Sequence, residues 1–497
     1  MYRIAPNGKA SAAVEVSTGS GDGFDPAVAV APDGTGAVVY AERPADSAVS
    51  VVKLRRFDST GKLAATVVSL SDASRSAARP AVALAPDGTA TVAWEYSAAP
   101  YGAAAARITP AGALLRSYQL CAEQAGLVLE ACGGVKVVTA GTGASTIVWR
   151  EQVAPTAAPF GHIRMLWISP ADIAAEPDSL SAGSDAAGDP QLVLGSDDSA
   201  LAEWQAGPSP DACPTPPAAC PNNRIEARTI SKTGTKDTTR TFVTETSSTF
   251  STYPRSPVSL AADGSGGYLL AWVDSPGKTG AAGSEVRFRR VSKSGTAGAV
   301  RTPVADAASL GAPGITAVVA AFSADGSAQL IWRTDESVLQ QSTVPKSDLP
   351  SRAKPVPGSA GTSLSAPLLA KASDGTATVV WLSAGTSATN RLLTQVLTAP
   401  PSVSNISFSG KVSKGDKSTQ LSFKSTKYGS ATIELVATSA KTKFATRKTV
   451  VRKVVSGTNL VTVDTKGIVR GTFQVTVKVT DLVGGTDGAS AKLIVLH

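Results

Sequence analysis

The segment AVALAPDGTATVAW, residues 81–94, is one of seven related hairpin sequences in the 497-residue chain. In each copy, apolar and small residues alternate on both sides of Asp-Gly or a close variant, and an aromatic residue follows. The other copies span residues 27–40, 137–149, 191–204, 257–272, 318–332 and 367–381, and the closing aromatics are Tyr40, Trp94, Trp149, Trp204, Trp272, Trp332 and Trp381. Strand-rich repeats at this spacing, 49–68 residues between aromatics, predict a β-propeller built from repeated blades.

Each repeat contains a second hairpin, which brings the blade to four strands. Clear copies span residues 51–70, 103–120, 224–243 and 286–304, and divergent copies span residues 163–180 and 338–356. The Asp-Gly pairs are typical of tight two-residue turns. Because the aromatic recurs at the same strand end, we expect it to pack between blades rather than to stack against a ligand.

The two ends of this region predict how the ring closes. After Trp381 only one further strand, residues 391–398, precedes a change in composition, while residues 10–17 match the outer strand of a blade. We therefore expect an all-β fold in which residues 1–398 form a seven-bladed β-propeller and the N-terminal strand closes the last blade. Residues 2–8 also match the third strand of a blade, with Arg3 aligned with Arg56. The sequence therefore leaves open the alternative that a further half blade lies upstream.

Residues 399–497 lack the blade motif and predict a second domain. Strands alternate there as in a β-sandwich, in LSFKS, ATIELVAT, KTVVRKVV, NLVTVDT, FQVTVKVTD and AKLIVLH. The stretch from residue 471 to residue 497 resembles the closing strands of the immunoglobulin-like (Ig-like) modules found at the C-termini of secreted bacterial proteins. The whole chain, with its Ala, Gly and Thr content and its DGT repeats, resembles a secreted actinobacterial propeller protein. This resemblance implies a propeller fold and a secreted or cell-surface location.

Charge separates the two predicted domains. Residues 398–497 hold 15 Lys and Arg against 5 Asp and Glu, and the remainder holds 32 against 34. The densest cluster is residues 441–453, with Lys441, Lys443, Arg447, Lys448, Arg452 and Lys453. Such a surface attracts anionic partners, such as a cell-wall polymer or a lipid surface, although a role in solubility alone stays open. Nucleic acid is disfavoured because no aromatic residues interleave with the lysines.

The four cysteines form two local pairs in the sequence, Cys121 with Cys132 and Cys213 with Cys220. Short loops close most easily, so we expect two disulfides and an extracellular or cell-surface location; four unrelated thiols are the alternative. No apolar run is long enough to cross a bilayer. The first residues contain no signal peptide, so we expect a chain that begins after its export signal or from a start that misses it.

The residues that follow each strand-end aromatic are the candidate binding residues. They should ring the mouth of the propeller on the face that carries the variable loops, where binding residues are usual. The set is Glu42, Arg43, Glu95, Tyr96, Arg150, Glu151, Gln205, Asp274, Arg333 and Asp335. Carboxylates, guanidiniums and one tyrosine can recognise a glycan or an extracellular protein; the alternative is a solvated rim.

Catalysis has little support in the sequence. With only two histidines, His162 and His497, the chain predicts no metal site, and it carries no nucleotide or cofactor motif. We expect a non-enzymatic binding protein without a cofactor. The competing hypothesis is a carbohydrate-active hydrolase or lyase in which Glu42, Glu95 and Glu151 face one another across the channel mouth.

Overall fold

The fold is known from a computed structural model, which describes residues 1–4, 11–17, 19, 21–97, 102–121, 128–154, 161–181, 186–207, 224–238, 241–243, 258–274, 285–303, 315–322, 326–334, 336–359, 365–371, 377–383, 391–397, 403–408, 418–425, 429–438, 448–455, 457–464, 471–481 and 486–495. Every regular element among these residues is a β-strand. The protein is therefore all-β, as the sequence predicts.

Seven antiparallel sheets follow one another along the first part of the chain, and each is a meander of consecutive strands. The first contains β1 (Asp22–Val30), β2 (Gly36–Arg43), β3 (Val51–Phe57) and β4 (Leu63–Ser69). The second contains β5 (Ala77–Leu84), β6 (Ala90–Tyr96), β7 (Gly102–Ile108) and β8 (Leu114–Cys121). The third contains β9 (Val128–Thr139), β10 (Ser145–Ala154), β11 (Gly161–Ile168) and β12 (Asp178–Ser179).

Among the described residues, the fourth and sixth sheets repeat this order with shorter outer strands, and the fifth and seventh sheets have three strands; in the fourth sheet both β13 and β14 pair with β15. The fourth contains β13 (Ala186–Ala187), β14 (Gln191–Leu194), β15 (Ala200–Gly207), β16 (Arg224–Ile230) and β17 (Thr241–Phe242). The fifth contains β18 (Ser259–Ala262), β19 (Tyr268–Asp274) and β20 (Glu285–Val291), and the sixth contains β21 (Ile315–Phe322), β22 (Ala328–Thr334), β23 (Leu339–Val344) and β24 (Lys354–Pro355). The seventh contains β25 (Leu368–Lys371), β26 (Ala377–Ser383) and β27 (Arg391–Leu397).

The turn between the first two strands has three residues, not the two predicted, in each of the first five sheets. In the first sheet it is Pro32-Asp33-Gly34: the Ala31 N–H donates to Thr35 O (2.8 Å), and the Gly34 N–H donates to Ala31 O (2.9 Å). Gly34 has φ 84°, the left-handed conformation that follows a type I turn in such loops. The Asp33 carboxylate accepts from the Thr35 N–H (2.9 Å), which fixes the turn and explains why Asp precedes Gly.

Contacts between successive sheets form the core. The first strands lie side by side in chain order, β1 beside β5, then β9, β14, β18, β21 and β25. The strand-end aromatics are buried between sheets: Trp94 packs with Val39 and Leu54 of the first sheet, and Trp149 packs with Tyr118 of the second. The predicted packing role of the repeated aromatic is confirmed. It stabilises the sheets because each large ring removes much apolar surface from water.

The predicted closure of the ring by residues 10–17 is wrong for the described residues. The seventh sheet has three strands, and residues 11–17 pair with none of them. Instead, the Ser11 N–H donates to Arg3 O (2.8 Å) and the Val14 N–H donates to Met1 O (2.9 Å). The physical reason is local: residues 1–4 supply a nearby antiparallel partner, which satisfies the same backbone groups that the last sheet was expected to bind.

The last seven strands form two further sheets. They are β28 (Val403–Phe408), β29 (Ser418–Ser425), β30 (Gly429–Ala437), β31 (Lys448–Val454), β32 (Gly457–Asp464), β33 (Gly471–Asp481) and β34 (Thr486–Val495). One sheet has the order β28-β29-β32 and the other has the order β31-β30-β33-β34. Alternate residues of both sheets, such as Leu421, Phe423, Ile433 and Val477, share one buried cluster, so the two sheets pack face to face.

Candidate functional site

Four successive sheets contribute residues to a polar pocket of about 280 Å³, most of them from β1, β5 and β9. Its lining is Asp25, Pro26, Arg79, Pro80, Ala81, Glu95, Gly134, Val135, Lys136 and Asp189. Three carboxylates and two cations therefore border one small cavity. Convergent charged groups in a concave site are the usual marks of a binding site.

The backbone at this pocket is held in an unusual conformation. Asp25 and Arg79 occupy the same place in β1 and β5, where the pairing register shifts by a bulge. Both have positive φ, 49° and 46°, and Gly134 in β9 has φ 67°. An arginine in this region is strained, and such strain is concentrated at functional sites. The Arg79 N–H donates to Asp25 Oδ2 (3.1 Å), so the two bulges support each other.

Glu95 joins the second and third sheets at the base of this pocket. It is buried, and its Oε1 accepts from the N–H groups of Gly134 (2.6 Å) and Val135 (3.4 Å). Its Oε2 lies 3.3 Å from Nη1 of Arg79, whose side chain is 70% exposed. Burial raises the pKa of Glu95 above 4.5, and Arg79 and the two N–H groups oppose that rise. A buried, oriented carboxyl can thus hold a ligand or, when protonated, donate a proton.

The other predicted acids do not meet Glu95. Glu42 is buried and forms an ion pair with Lys53, and its Oε2 has no hydrogen-bond partner among the residues that the structure describes. Glu151 lies 3.8 Å from Arg164 on the neighbouring strand. Neither lines the pocket, so the described residues do not bring Glu42, Glu95 and Glu151 together in it as the hydrolase hypothesis expects.

Tyr96, the one tyrosine among the candidate binding residues, is buried beside a cation. It is 8% exposed, and the Arg75 guanidinium carbon lies 3.9 Å from its ring centroid. One face of the ring is therefore already covered by a cation, a favourable contact that fixes both side chains.

The remaining predicted residues lie around the pocket or away from it. Arg150 Nε lies 2.8 Å from Asp189 Oδ1, so Arg150 orients a pocket carboxylate. Arg43 is exposed, 5.7 Å from the Phe24 ring centroid. Gln205 and Arg333 are partly buried and line no part of the pocket. Asp274 is described in its backbone alone, and Asp335 lies outside the described residues.

Sequence reasoning missed Asp25, Arg79, Lys136 and Asp189. A signal was present for three of them: each precedes a proline, as Asp25-Pro26, Arg79-Pro80 and Asp189-Pro190, and each lies eight residues before the aspartate of a turn, Asp33, Asp87 or Asp197. In β1 and β5 the charged residue before proline lies at the bulge where the pairing register shifts.

One disulfide is confirmed, between Cys121 and Cys132. Cys213 and Cys220 lie outside the described residues. In the part of the chain that the structure describes, no helix could span a membrane and no three His, Cys, Asp or Glu side chains converge as a metal site would require.

No protein-family model matches the chain, and no curated protein is similar to it in sequence. Among solved structures it is similar to an acylaminoacyl peptidase from Pyrococcus horikoshii (10% identity, TM-score 0.42), over 81% of this chain and 57% of that one, less than two thirds of the peptidase. It is also similar to the β-propeller domain of the trilobed protease from Pyrococcus furiosus (10% identity, TM-score 0.40), over 76% of this chain and 94% of that one. A third similar structure is the lectin BP39L from Burkholderia pseudomallei (9% identity, TM-score 0.44), over 75% of this chain and 96% of that one. Likenesses of this size assign no activity to this chain.

Proposed function

We propose that this chain is a secreted or cell-surface, non-enzymatic binding protein that recognises a glycan or an extracellular protein through the pocket at Asp25, Arg79, Glu95 and Asp189. Residues 1–398 are a seven-bladed β-propeller in this proposal, and residues 399–497 are an Ig-like β-sandwich. Seven consecutive meander sheets whose first strands lie side by side support the propeller. The disulfide Cys121–Cys132 supports a location outside the cytosol.

The polarity of the pocket carries the binding proposal. Asp25, Asp189 and the exposed Arg79 offer acceptors and donors to a ligand. Arg150 orients Asp189, and Glu95, held by the Gly134 N–H, pairs with Arg79. Rigid, oriented polar groups favour binding because little side-chain entropy is lost when a ligand arrives. Neutral sugar hydroxyls and peptide groups fit such a mixed set, because each can donate and accept.

A glycan array, with a set of extracellular proteins beside it, tests this proposal. The probe is the full chain, compared with Arg79→Ala, which removes a pocket donor, and with Arg43→Ala, a matched exposed arginine outside the pocket. We expect binding that is lost in Arg79→Ala and kept in Arg43→Ala. Equal binding by both variants, or no ligand in either collection, contradicts the proposed site.

A second candidate, a carbohydrate-active hydrolase or lyase, is favoured by one observation. The raised pKa of Glu95 is a property of catalytic acids. Any glycan bound on the array is therefore incubated with the protein and with Glu95→Gln, and product release is followed by chromatography. Cleavage that Glu95→Gln abolishes while binding persists favours the enzyme, and binding without product favours the binding protein.

For the C-terminal module we propose salt-sensitive docking to an anionic cell envelope, through residues 441–453. Arg452 and Lys453 of this segment are exposed on β31, and Lys441, Lys443 and Arg447 lie outside the described residues. Co-sedimentation of the full chain with vesicles containing phosphatidylglycerol, and with purified wall polymer, tests this. We expect binding that weakens steeply with added salt, because exposed charges are screened; salt-independent binding contradicts electrostatic docking.

A further inference from the structure

An apolar cleft of about 950 Å³ separates the first sheet from the seventh. One wall includes Val28 and Val30 of β1, and the other includes Leu368 of β25. These side chains are 59%, 61% and 71% exposed. The residues at the same register in the second sheet, Val82 and Leu84, pack instead against the first sheet. The cleft is thus a place where two sheet faces lack the neighbour that such faces have elsewhere.

The N-terminal residues hold the position of an outer strand next to this cleft. Arg55 of β3 donates from Nη1 to Val16 O (2.9 Å). Arg228 makes the same contact from β16 to Leu180 O (2.9 Å), at the end of the outer strand of the preceding sheet. By this equivalence, Val16 stands at the end of the outer strand of a sheet that precedes the first one.

Residues 1–4 hold the position of the third strand of that same sheet. In the first sheet, Arg56 of the third strand donates to Thr109 O, in the turn between the last two strands of the second sheet (3.1 Å). Arg3 stands likewise against Gly61 in the corresponding turn of the first sheet, with its Cδ 3.7 Å from the place of a Gly61 Cβ. Residues 1–4 and 11–17 thus hold the positions of the third and fourth strands, and the cleft occupies the place of the first and second.

We propose that the cleft is the receptor for a two-stranded β-hairpin that completes this extra sheet. The occupant is a polypeptide hairpin of the repeat type, with small and apolar residues alternating around a Pro-Asp-Gly turn. The inner hairpins that the structure describes are each paired in their own sheets, so the occupant we propose is a further hairpin, contributed by another polypeptide segment. Its first contact is apolar, with Val28, Val30 and Leu368, and its second strand pairs with the backbone of residues 1–4. The buried Tyr40 hydroxyl, which lines the cleft without a hydrogen-bond partner among the described residues, then gains an acceptor.

The experiment uses the full chain and a labelled peptide with the sequence of residues 77–96, cyclised because an isolated hairpin is only marginally stable. Binding is followed by fluorescence anisotropy, with a scrambled cyclic peptide as the control. The variants are Val28→Asp in the cleft and Val451→Asp, a valine that is also 59% exposed but lies on β31. We expect saturable binding that Val28→Asp weakens by about tenfold or more, through the loss of buried apolar surface, and that Val451→Asp leaves unchanged.

Leu368→Asp, on the opposite wall, gives the same test if Val28→Asp fails to fold. Absence of peptide binding, equal binding of the scrambled peptide, or equal losses in the cleft and control variants would overturn the proposal. Sedimentation velocity of the protein alone adds another outcome: a concentration-dependent dimer that the cleft variants abolish would make a second copy of this chain the occupant and would overturn the hairpin.

Discussion

Replacement of Glu95 tests whether the second and third sheets are joined through the pocket. Glu95→Ala removes the acceptor of the Gly134 and Val135 N–H groups, at 2.6 and 3.4 Å. A buried donor left without a partner costs about 1–3 kcal/mol, and the longer bond contributes less than the shorter one. The ion pair with the exposed Arg79 adds about 0–1 kcal/mol. We expect Glu95→Ala to lower the free energy of unfolding by about 2–4 kcal/mol.

Glu95→Gln separates the charge from the hydrogen bonds. The amide oxygen still accepts from Gly134, so the loss at neutral pH should be about 1 kcal/mol or less. The pKa of Glu95 is raised in the folded protein, chiefly by burial, so the folded state binds this proton more tightly than the unfolded chain does. That contribution is complete below about pH 4.5 and is lost as the pH rises through the raised pKa. Stability of the wild type relative to Glu95→Gln should therefore fall with rising pH.

The measurement is urea unfolding followed by tryptophan fluorescence, at pH 5 and pH 8, for both variants and for Glu151→Gln. Glu151 is a matched carboxylate on β10 that lines no part of the pocket. The reasoning is refuted if Glu95→Ala unfolds at the same midpoint as Glu151→Gln, or if the difference between Glu95→Gln and the wild type is the same at both pH values.

Three further changes have defined outcomes. Arg107→Met breaks the contact between the buried Arg107 guanidinium and Asp172 (2.7 Å) and should lower the free energy of unfolding by about 3–5 kcal/mol in thermal unfolding; an unchanged melting temperature contradicts the structure. Burial raises the pKa of the Glu203 carboxyl well above its usual range, so the stability of Glu203→Gln relative to the wild type should increase with rising pH in urea unfolding; a stability difference that does not change with pH contradicts this burial. Cys121→Ser with Cys132→Ser should cost about 2–3 kcal/mol, since the bridge closes a short loop; thiol labelling of the unfolded, unreduced wild type should show neither cysteine free.

Local periodicity explains why the sheets could be predicted from the sequence. Alternation around each turn determines which face of a strand is buried, and this needs no knowledge of distant residues. The turn length was missed because Asp-Gly alone does not distinguish a two-residue loop from Pro32-Asp33-Gly34; the bond from the Thr35 N–H to Asp33 decides it. The closure was missed because it depends on a choice between two partners for residues 11–17, the last sheet or residues 1–4.

The candidate site was predicted only in part because the candidate binding residues named from the sequence lie on two different faces of a strand. Successive side chains in a strand point to opposite faces. Glu95 and Arg150 stand one place after the strand-end aromatic and belong to the pocket or adjoin it. Glu42 and Tyr96 stand two places after it and are buried on the other side. A common count from the aromatic separates the two faces of the strand, although Gln205 and Arg333, also one place after it, line no part of the pocket.

The site breaks the symmetry of the repeat, and this bears on how a ligand binds. The residue before the proline is charged in the first, second and fourth sheets, as Asp25, Arg79 and Asp189, whereas the seventh sheet has Ala366 before Pro367. A repeated lectin site would need the same donors and acceptors in every sheet. The pocket draws its charges from the first four sheets, so under the proposed function a ligand that needs all of these charges would bind at this one pocket. In that case the repeat builds the scaffold, and the departures from it define the specificity.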